Sequence, residues 1–229
     1  MVMVSTTFEI HDFLNFVKEQ GRPYSETLSI DLRRGDKAYF EWFLAAFLYS
    51  KPIREETTTR TFRLFKSYGL TDLESLIKAG WDRIVEILDE GGYTRYDFST
   101  ADRILEICKN LLKEYGGSLN ELHEKSRDSR DLEERLRGLG KGIGPVTISV
   151  FLRDMRLVWK KADPPPTPKV KDAMKSLNIS DLDEFSRRFN VGRVELETAL
   201  HRYSRLLKST KKDKRKNQNQ NQNPNQNCS

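Results

Sequence analysis

Cysteine is nearly absent from this chain: Cys108 and Cys228 are the only two in 229 residues. They are too few and too far apart for a disulfide framework, a zinc site or a four-cysteine iron–sulfur cluster. Cys108 falls on an apolar helical stripe, where a core residue is expected. Histidine is almost as scarce, and His11, His123 and His201 are scattered without metal-ligand spacing, so neither a metal nor a cofactor is expected. Apolar runs stay shorter than about 18 residues, which argues against a membrane span. The opening MVMVSTTFEIHDF lacks the basic n-region of a secretory signal. The expected compartment is the cytoplasm (nucleoid-associated) or the nucleus, with no secretion and no membrane partner.

Alternation of period two is also scarce. Apolar residues recur instead at three and four in FEIHDFLNFV, AYFEWFLAAFLY, RTFRLFKSY, DRIVEILDE, ADRILEICKNLLKEY, VTISVFLRDM and VELETALHRYSRLL, the spacing of amphipathic helices. Stop and start signals agree with it: Gly69, Gly91-Gly92 and Gly116-Gly117 close helices, while Thr71-Asp72, Thr167-Pro168 and Ser180-Asp181 open them. The chain reads as all-α. Its length suffices for one core or for two small helical lobes.

The formal charge of +6 is unevenly spread. Residues 208–216 (KSTKKDKRK) hold six cations and one acid, which leaves about +1 for residues 1–207. The body is basic only locally, where Arg135, Arg137, Lys141, Arg153, Arg156, Lys160 and Lys161 crowd around one glycine turn. Such a patch supplies phosphate contacts, or is the solvated face of ordinary helices. From 208 to 229 the chain turns polar (KSTKKDKRKNQNQNQNPNQNCS) and cannot bury enough surface to fold, so a disordered basic and Asn/Gln-rich tail is expected.

The turn itself is Gly142-Ile143-Gly144, followed by Pro145 and the apolar run Val146 to Leu152. A Gly-hydrophobic-Gly turn leading into a helix lets the backbone approach a ligand, because neither glycine has a Cβ. The first free amides of the helix and the positive end of its dipole favour an anion there. On a locally basic surface that anion is expected to be a nucleic-acid phosphate. Pro145 suits the first helical turn. The amides of Gly142, Gly144, Val146 and Thr147, with Ile143, are the expected phosphate contacts, and Lys141, Lys51 and Arg153 the expected cations. A tight interhelical turn that meets no DNA is the plainer alternative.

The order of these features resembles the helix-hairpin-helix DNA glycosylase superfamily over roughly residues 37–205, in particular its endonuclease III and 3-methyladenine glycosylase types without an iron–sulfur cluster. AYFEWFLAAFLYSKPIREETTTRTFRLF is similar to the family's opening helix, Ser-containing turn and second helix. EGGYTRYDFSTADRILEICKNLLKEYGGSL is similar to its glycine-aromatic turn and long helix, and LEERLRGLGKGIGPVTISVFL to its hairpin. Asp163 falls about where the family keeps its catalytic aspartate. The resemblance implies two helical lobes with an active-site cleft between them. On this reading residues 37–155 form a helical barrel ending in the hairpin, and residues 1–36 with 156–207 the second, discontinuous lobe.

The implied activity is base-excision repair of double-stranded DNA bearing a lesion or mismatch, by a monomeric hydrolase acting on N-glycosyl bonds. Asp163 would stabilise an oxocarbenium-like transition state and orient water. The target base must leave the stack, and Tyr93, Tyr96, Trp42 and Trp159 are the expected pocket or wedge residues, with Tyr49 beside them. Bifunctional members carry a lysine two residues after the second hairpin glycine. Val146 stands there, so a monofunctional enzyme without lyase activity is expected. The loop Asp163-Pro164-Pro165-Pro166-Thr167-Pro168 departs from the family by being longer and stiffer, which either holds the carboxylate in place or holds it away. Three alternatives stay open: a catalytically silent DNA-binding protein, a bifunctional enzyme using another lysine, and a helical protein–protein module in which the turn is only structural.

Overall fold

A computed structural model describes the backbone of residues 3–221 and the side chains of residues 10–207. Among the described residues there is no strand, and the chain is all-α. The helices are α1 (Met3–Gln20), α2 (Tyr24–Thr27), α3 (Asp36–Tyr49), α4 (Glu55–Ser67), α5 (Leu73–Glu90), α6 (Asp97–Tyr115), α7 (Leu119–Lys125), α8 (Ser129–Gly138), α9 (Pro145–Met155), α10 (Pro168–Ser176), α11 (Leu182–Phe189) and α12 (Arg193–Asn221). A 3-10 turn spans Leu32–Arg34. No helix of the described residues is long and apolar enough to cross a membrane.

The boundaries follow the local signals. The Asp72 side chain accepts the Ser75 amide at 2.9 Å to start α5, Ser118 accepts from Glu121 for α7, and Asp128 accepts from Asp131 for α8. Thr167 caps α10 just before its first-turn Pro168. Gly116 ends α6 in the left-handed conformation.

The chain divides into two compact units, Pro23–Pro165 and Met1–Arg22 with Pro166–Ser229. The divisions therefore fall at 22/23 and 165/166 instead of the expected 36/37 and 155/156. The reason is burial. Tyr24, Leu28, Ile30 and Leu32 all enter the core of the 23–165 unit, and so do Trp159 and Ala162. Two side-chain bonds tie the same stretch down: Asp154 Oδ2 accepts the Ser25 amide at 2.9 Å, and the Tyr24 hydroxyl donates to Glu55 at 2.8 Å.

Within the 23–165 unit, α3 is the central element. Ala38 through Leu48 along it are largely buried, and it packs against α4, α7 and α9, while α5 pairs with α6. An α3 that is apolar nearly all round is what a helix at the centre of a bundle requires. Within the other unit, α12 packs against α1, α10 and α11 around Phe13, Val17, Phe185, Leu196 and Leu200. The segment expected to be disordered from residue 208 instead continues α12 as far as Asn221. Its Lys and Arg are good helix formers extending an existing helix, so no new nucleation cost arises. Residues 222–229, including Cys228, lie outside the described residues.

His123 lies in the 23–165 core, 6 % exposed and stacked on Trp159 at 4.7 Å with rings 9° apart. Burial first, and then the charge of Lys161, push its pKa down, with Glu124 opposing. A base whose folded pKa is depressed contributes its full stability above the unfolded value near 6.5 and loses it as pH falls below that value. The denaturant midpoint is accordingly expected to decline from pH 7.5 towards pH 5, and the decline to be shallower in His123→Phe.

Candidate nucleic-acid interface

The turn between α8 and α9 is built as a shallow basic site. Gly142 has φ 91°, a left-handed conformation that a side chain strains. A Cβ there would also sit 2.8 Å from Arg103 Cδ and 3.3 Å from Lys51 Nζ. Gly144 differs: its backbone is extended, and a Cβ would meet nothing within 4 Å, so the missing side chain leaves open surface. Ile143, expected to face the ligand, is instead 3 % exposed and plugs the turn into the core. Thr147 is likewise buried, and its hydroxyl donates to the Gly142 carbonyl at 3.3 Å, closing the turn from within.

The first backbone bond of α9 runs from the Ile148 amide to the Gly144 carbonyl at 3.1 Å. The amides of Val146 and Thr147 precede that ladder, and Pro145 has none, so the helix presents its positive end at the turn. Val146 is 43 % exposed, an apolar side chain in the first turn of α9.

Two cations distant from it in sequence flank Gly142. Lys51, in the turn after α3, donates to the Gly142 carbonyl at 3.4 Å and lies 4.5 Å above the Phe47 ring. Burial and then the Arg103 charge hold its pKa below the usual lysine value. Arg103, on α6, had no signal in the sequence beyond being one arginine of an amphipathic helix, and folding alone brings it to the turn. Lys141 is exposed, and its amide donates to Glu106 at 3.3 Å.

Much of the remaining basic patch is taken up by structure. Arg153, expected on DNA, is 3 % exposed; its Nε donates to Asp154 at 2.9 Å and its guanidinium lies 5.1 Å from the Tyr24 ring. Arg135 pairs with Asp131 at 3.1 Å, and Lys161 donates to the His123 and Glu124 carbonyls.

Asp163 is well exposed, its side chain retaining 79 % of its accessible surface. Arg156 donates from one nitrogen to Asp163 Oδ1 at 3.1 Å and to the Pro164 carbonyl at 2.7 Å, and the Ser149 hydroxyl donates to the Pro165 carbonyl at 3.2 Å. The polyproline loop is thus tied to α9 at two places. Glu133 on α8 is a second carboxylate that the sequence did not single out. Burial raises its pKa, Arg137 opposes that rise, and the charge of Asp163 adds to it.

The expected base-contacting aromatics mostly belong to the core. Trp42 is fully buried and its indole N–H donates to the Phe151 carbonyl at 3.0 Å. Tyr93 is fully buried and donates to the Leu48 carbonyl at 2.7 Å. Trp159 is 3 % exposed and packs against Tyr39, His123 and Phe151. The double glycine before Tyr93 has a packing cause too. A Cβ on Gly91 would lie 2.2 Å from Thr61 Oγ1, and Arg60 grips the Gly91 carbonyl with two N–H groups at 3.0 and 2.7 Å.

Tyr49 is part-buried and shares a 2.6 Å hydrogen bond with Thr59. Of the four expected aromatics only Tyr96 is partly accessible, with Arg95 5.6 Å from its ring. Among the described residues the exposed aromatics are instead Tyr68, Trp81 and Phe98, 44 %, 38 % and 59 % exposed; Trp81 and Phe98 lie 5.4 Å apart, and the Trp81 indole donates to Asp102 at 2.8 Å.

Replacing Trp42 with Phe is expected to cost about 1–3 kcal/mol in denaturant unfolding, because the buried indole bond to the Phe151 carbonyl and part of the packed ring volume are lost.

No protein-family model, no curated protein and no solved structure matches this chain.

Proposed function

We propose that this chain is a monofunctional DNA N-glycosylase that hydrolyses the bond between deoxyribose and a damaged or mispaired base. The observation that carries the reading is the Gly142–Gly144 turn, where the positive end of α9, Lys51 and Arg103 converge on one exposed stretch of backbone. Two like charges pressed together next to helix amides suit an anion that relieves their repulsion, and a duplex phosphate supplies it without reading sequence. Asp163 follows on the next loop, exposed and ionisable. Its carboxylate is suited to stabilise the positive charge that develops on the sugar as the base departs, and to orient the attacking water. Val146 offers no amine, so the product is an abasic site with an intact strand.

A second reading, a DNA-binding protein without turnover, is favoured by the burial of Trp42, Tyr93 and Trp159, which leaves a flipped base with fewer aromatic partners than expected. Tyr96 and the exposed Phe98, which follow the Gly91-Gly92 turn, stay accessible for stacking.

The test is excision on end-labelled duplexes bearing alkylated purines, oxidised guanine, uracil and mismatched thymine, each divided into untreated and alkali-treated halves. Strand breaks that require alkali are the expected result. Breaks without alkali, together with a covalent adduct after borohydride, would indicate a lyase using another lysine. Tight, salt-sensitive duplex binding with no breaks on any lesion would support the silent binder, and no binding at low salt would leave the turn as a structural element.

A further inference from the structure

We propose that Arg156 is the positioning residue of this site, holding the Asp163 carboxylate by one oxygen so that the other is presented to water. The proposal rests on the reading of Asp163 as the reacting carboxylate. The guanidinium is mounted on a rigid base, because the chain leaves α9 through consecutive turns in which the Arg156 amide donates to Leu152, Leu157 to Asp154 and Val158 to Met155. Its side chain is 12 % exposed, whereas that of Asp163 is 79 % exposed. A mostly buried donor thus reaches out to an exposed acceptor.

One Arg156 nitrogen serves Asp163 Oδ1 at 3.1 Å and the Pro164 carbonyl at 2.7 Å. A planar guanidinium that grips a carboxylate and the peptide carbonyl next to it fixes the orientation of the first relative to the second. The Ser149 bond to Pro165 and the restricted φ of the prolines hold the same loop from its other side. An ion pair with so exposed a carboxylate adds little to stability, so its geometry has more to offer than its energy.

Glu133 supplies the reason an anchor is needed. Glu133 on α8, its pKa raised by burial, also feels the charge of Asp163, which pushes that pKa further up, and Arg156 at the end of α9 pairs with Asp163 at 3.1 Å. Glu133 carries the same sign as Asp163, so loss of Arg156 removes the attractive charge and leaves the repulsive one, and the carboxylate is no longer held in one orientation.

The test uses Arg156→Gln and Arg156→Lys in the full chain. On a lesion duplex under single-turnover conditions, Arg156→Gln is expected to lower the excision rate on the order of 10–100-fold, the cost of a misplaced reacting group. Duplex Kd should stay within about twofold of wild type, because no phosphate contact is lost. Arg156→Lys should recover part of the rate. Weaker binding with a shallower salt dependence and an unchanged rate at saturation would make Arg156 a phosphate contact and overturn the proposal. A second readout does not need turnover: the Asp163 amide and side-chain carboxyl NMR resonances, assigned with Asp163→Asn, should move or broaden in Arg156→Gln and return towards wild type in Arg156→Lys. Unmoved resonances would overturn the positioning role whatever the activity. Absence of excision by wild type on every lesion would count against the glycosylase reading alone and leave the resonances to decide the role of Arg156.

Discussion

Asp163→Asn is expected to lower base excision on the order of 10²–10³-fold while leaving the fold and duplex affinity intact. The substitution keeps the size of the side chain and one oxygen for the Arg156 bond at 3.1 Å, so the loop retains its anchor. With 79 % of its surface exposed, the side chain is not part of the core, and the melting transition should not move measurably. The negative charge is what disappears. In the proposed reaction that charge faces a sugar that becomes positive only as the base leaves, so its loss is felt in the transition state and not in ground-state binding. Single-turnover excision, with strand breaks developed by alkali, measures the rate, and titration of the same duplex measures affinity. A rate within about threefold of wild type would make Asp163 an ordinary loop aspartate. Glu133, half-buried nearby with its carboxyl pushed up by burial, would then be the next residue to replace.

Asp154→Ala is expected to destabilise the 23–165 unit by about 3–5 kcal/mol, the usual cost of removing one partner of a buried ion pair. Asp154 is fully buried and accepts from Arg153 Nε and from the Ser25 amide, both at 2.9 Å. Without it, a guanidinium 3 % exposed loses the carboxylate 2.9 Å away, and the buried Ser25 amide loses its acceptor. Arg153→Met combined with Asp154→Asn removes both charges but keeps an acceptor for Ser25, and should recover most of the loss. Denaturant midpoints at constant m-value make the comparison. A cost of less than about 1 kcal/mol for Asp154→Ala would mean that the pair is not holding the unit together.

Helix spacing made the long elements legible from residue types alone. The apolar stripes of α3, α5, α6 and α9, the caps at Asp72 and Thr167, and the stop at Gly116 depend on neighbours within about one turn, and such interactions are present in the sequence as spacing. The turn at Gly142 and Gly144 was legible for the same reason. The four residues of α2 carry too little periodicity to announce themselves. What recruits them into the 23–165 unit is Asp154, more than a hundred positions away in the chain.

The partition of side chains between surface and interior was a tertiary decision. Trp42, Tyr93 and Trp159 have the chemistry of base-stacking residues and equally that of core residues. Only the carbonyls that meet Trp42 and Tyr93, at Phe151 and Leu48, and the ring stacked on Trp159 place them inside. Arg153 and Arg156 are alike in sequence and three positions apart, yet one is buried against Asp154 and the other reaches an exposed carboxylate. Arg103 meets the Gly142 turn because α6 packs in the same unit, a contact between residues far apart in the chain. Sequence alone determined the helices and the glycine turn, since both are set by local backbone geometry. Which cations surround that turn, and which aromatics stay available to a ligand, depended on long-range packing, where a residue's type does not say which side of the core it will face.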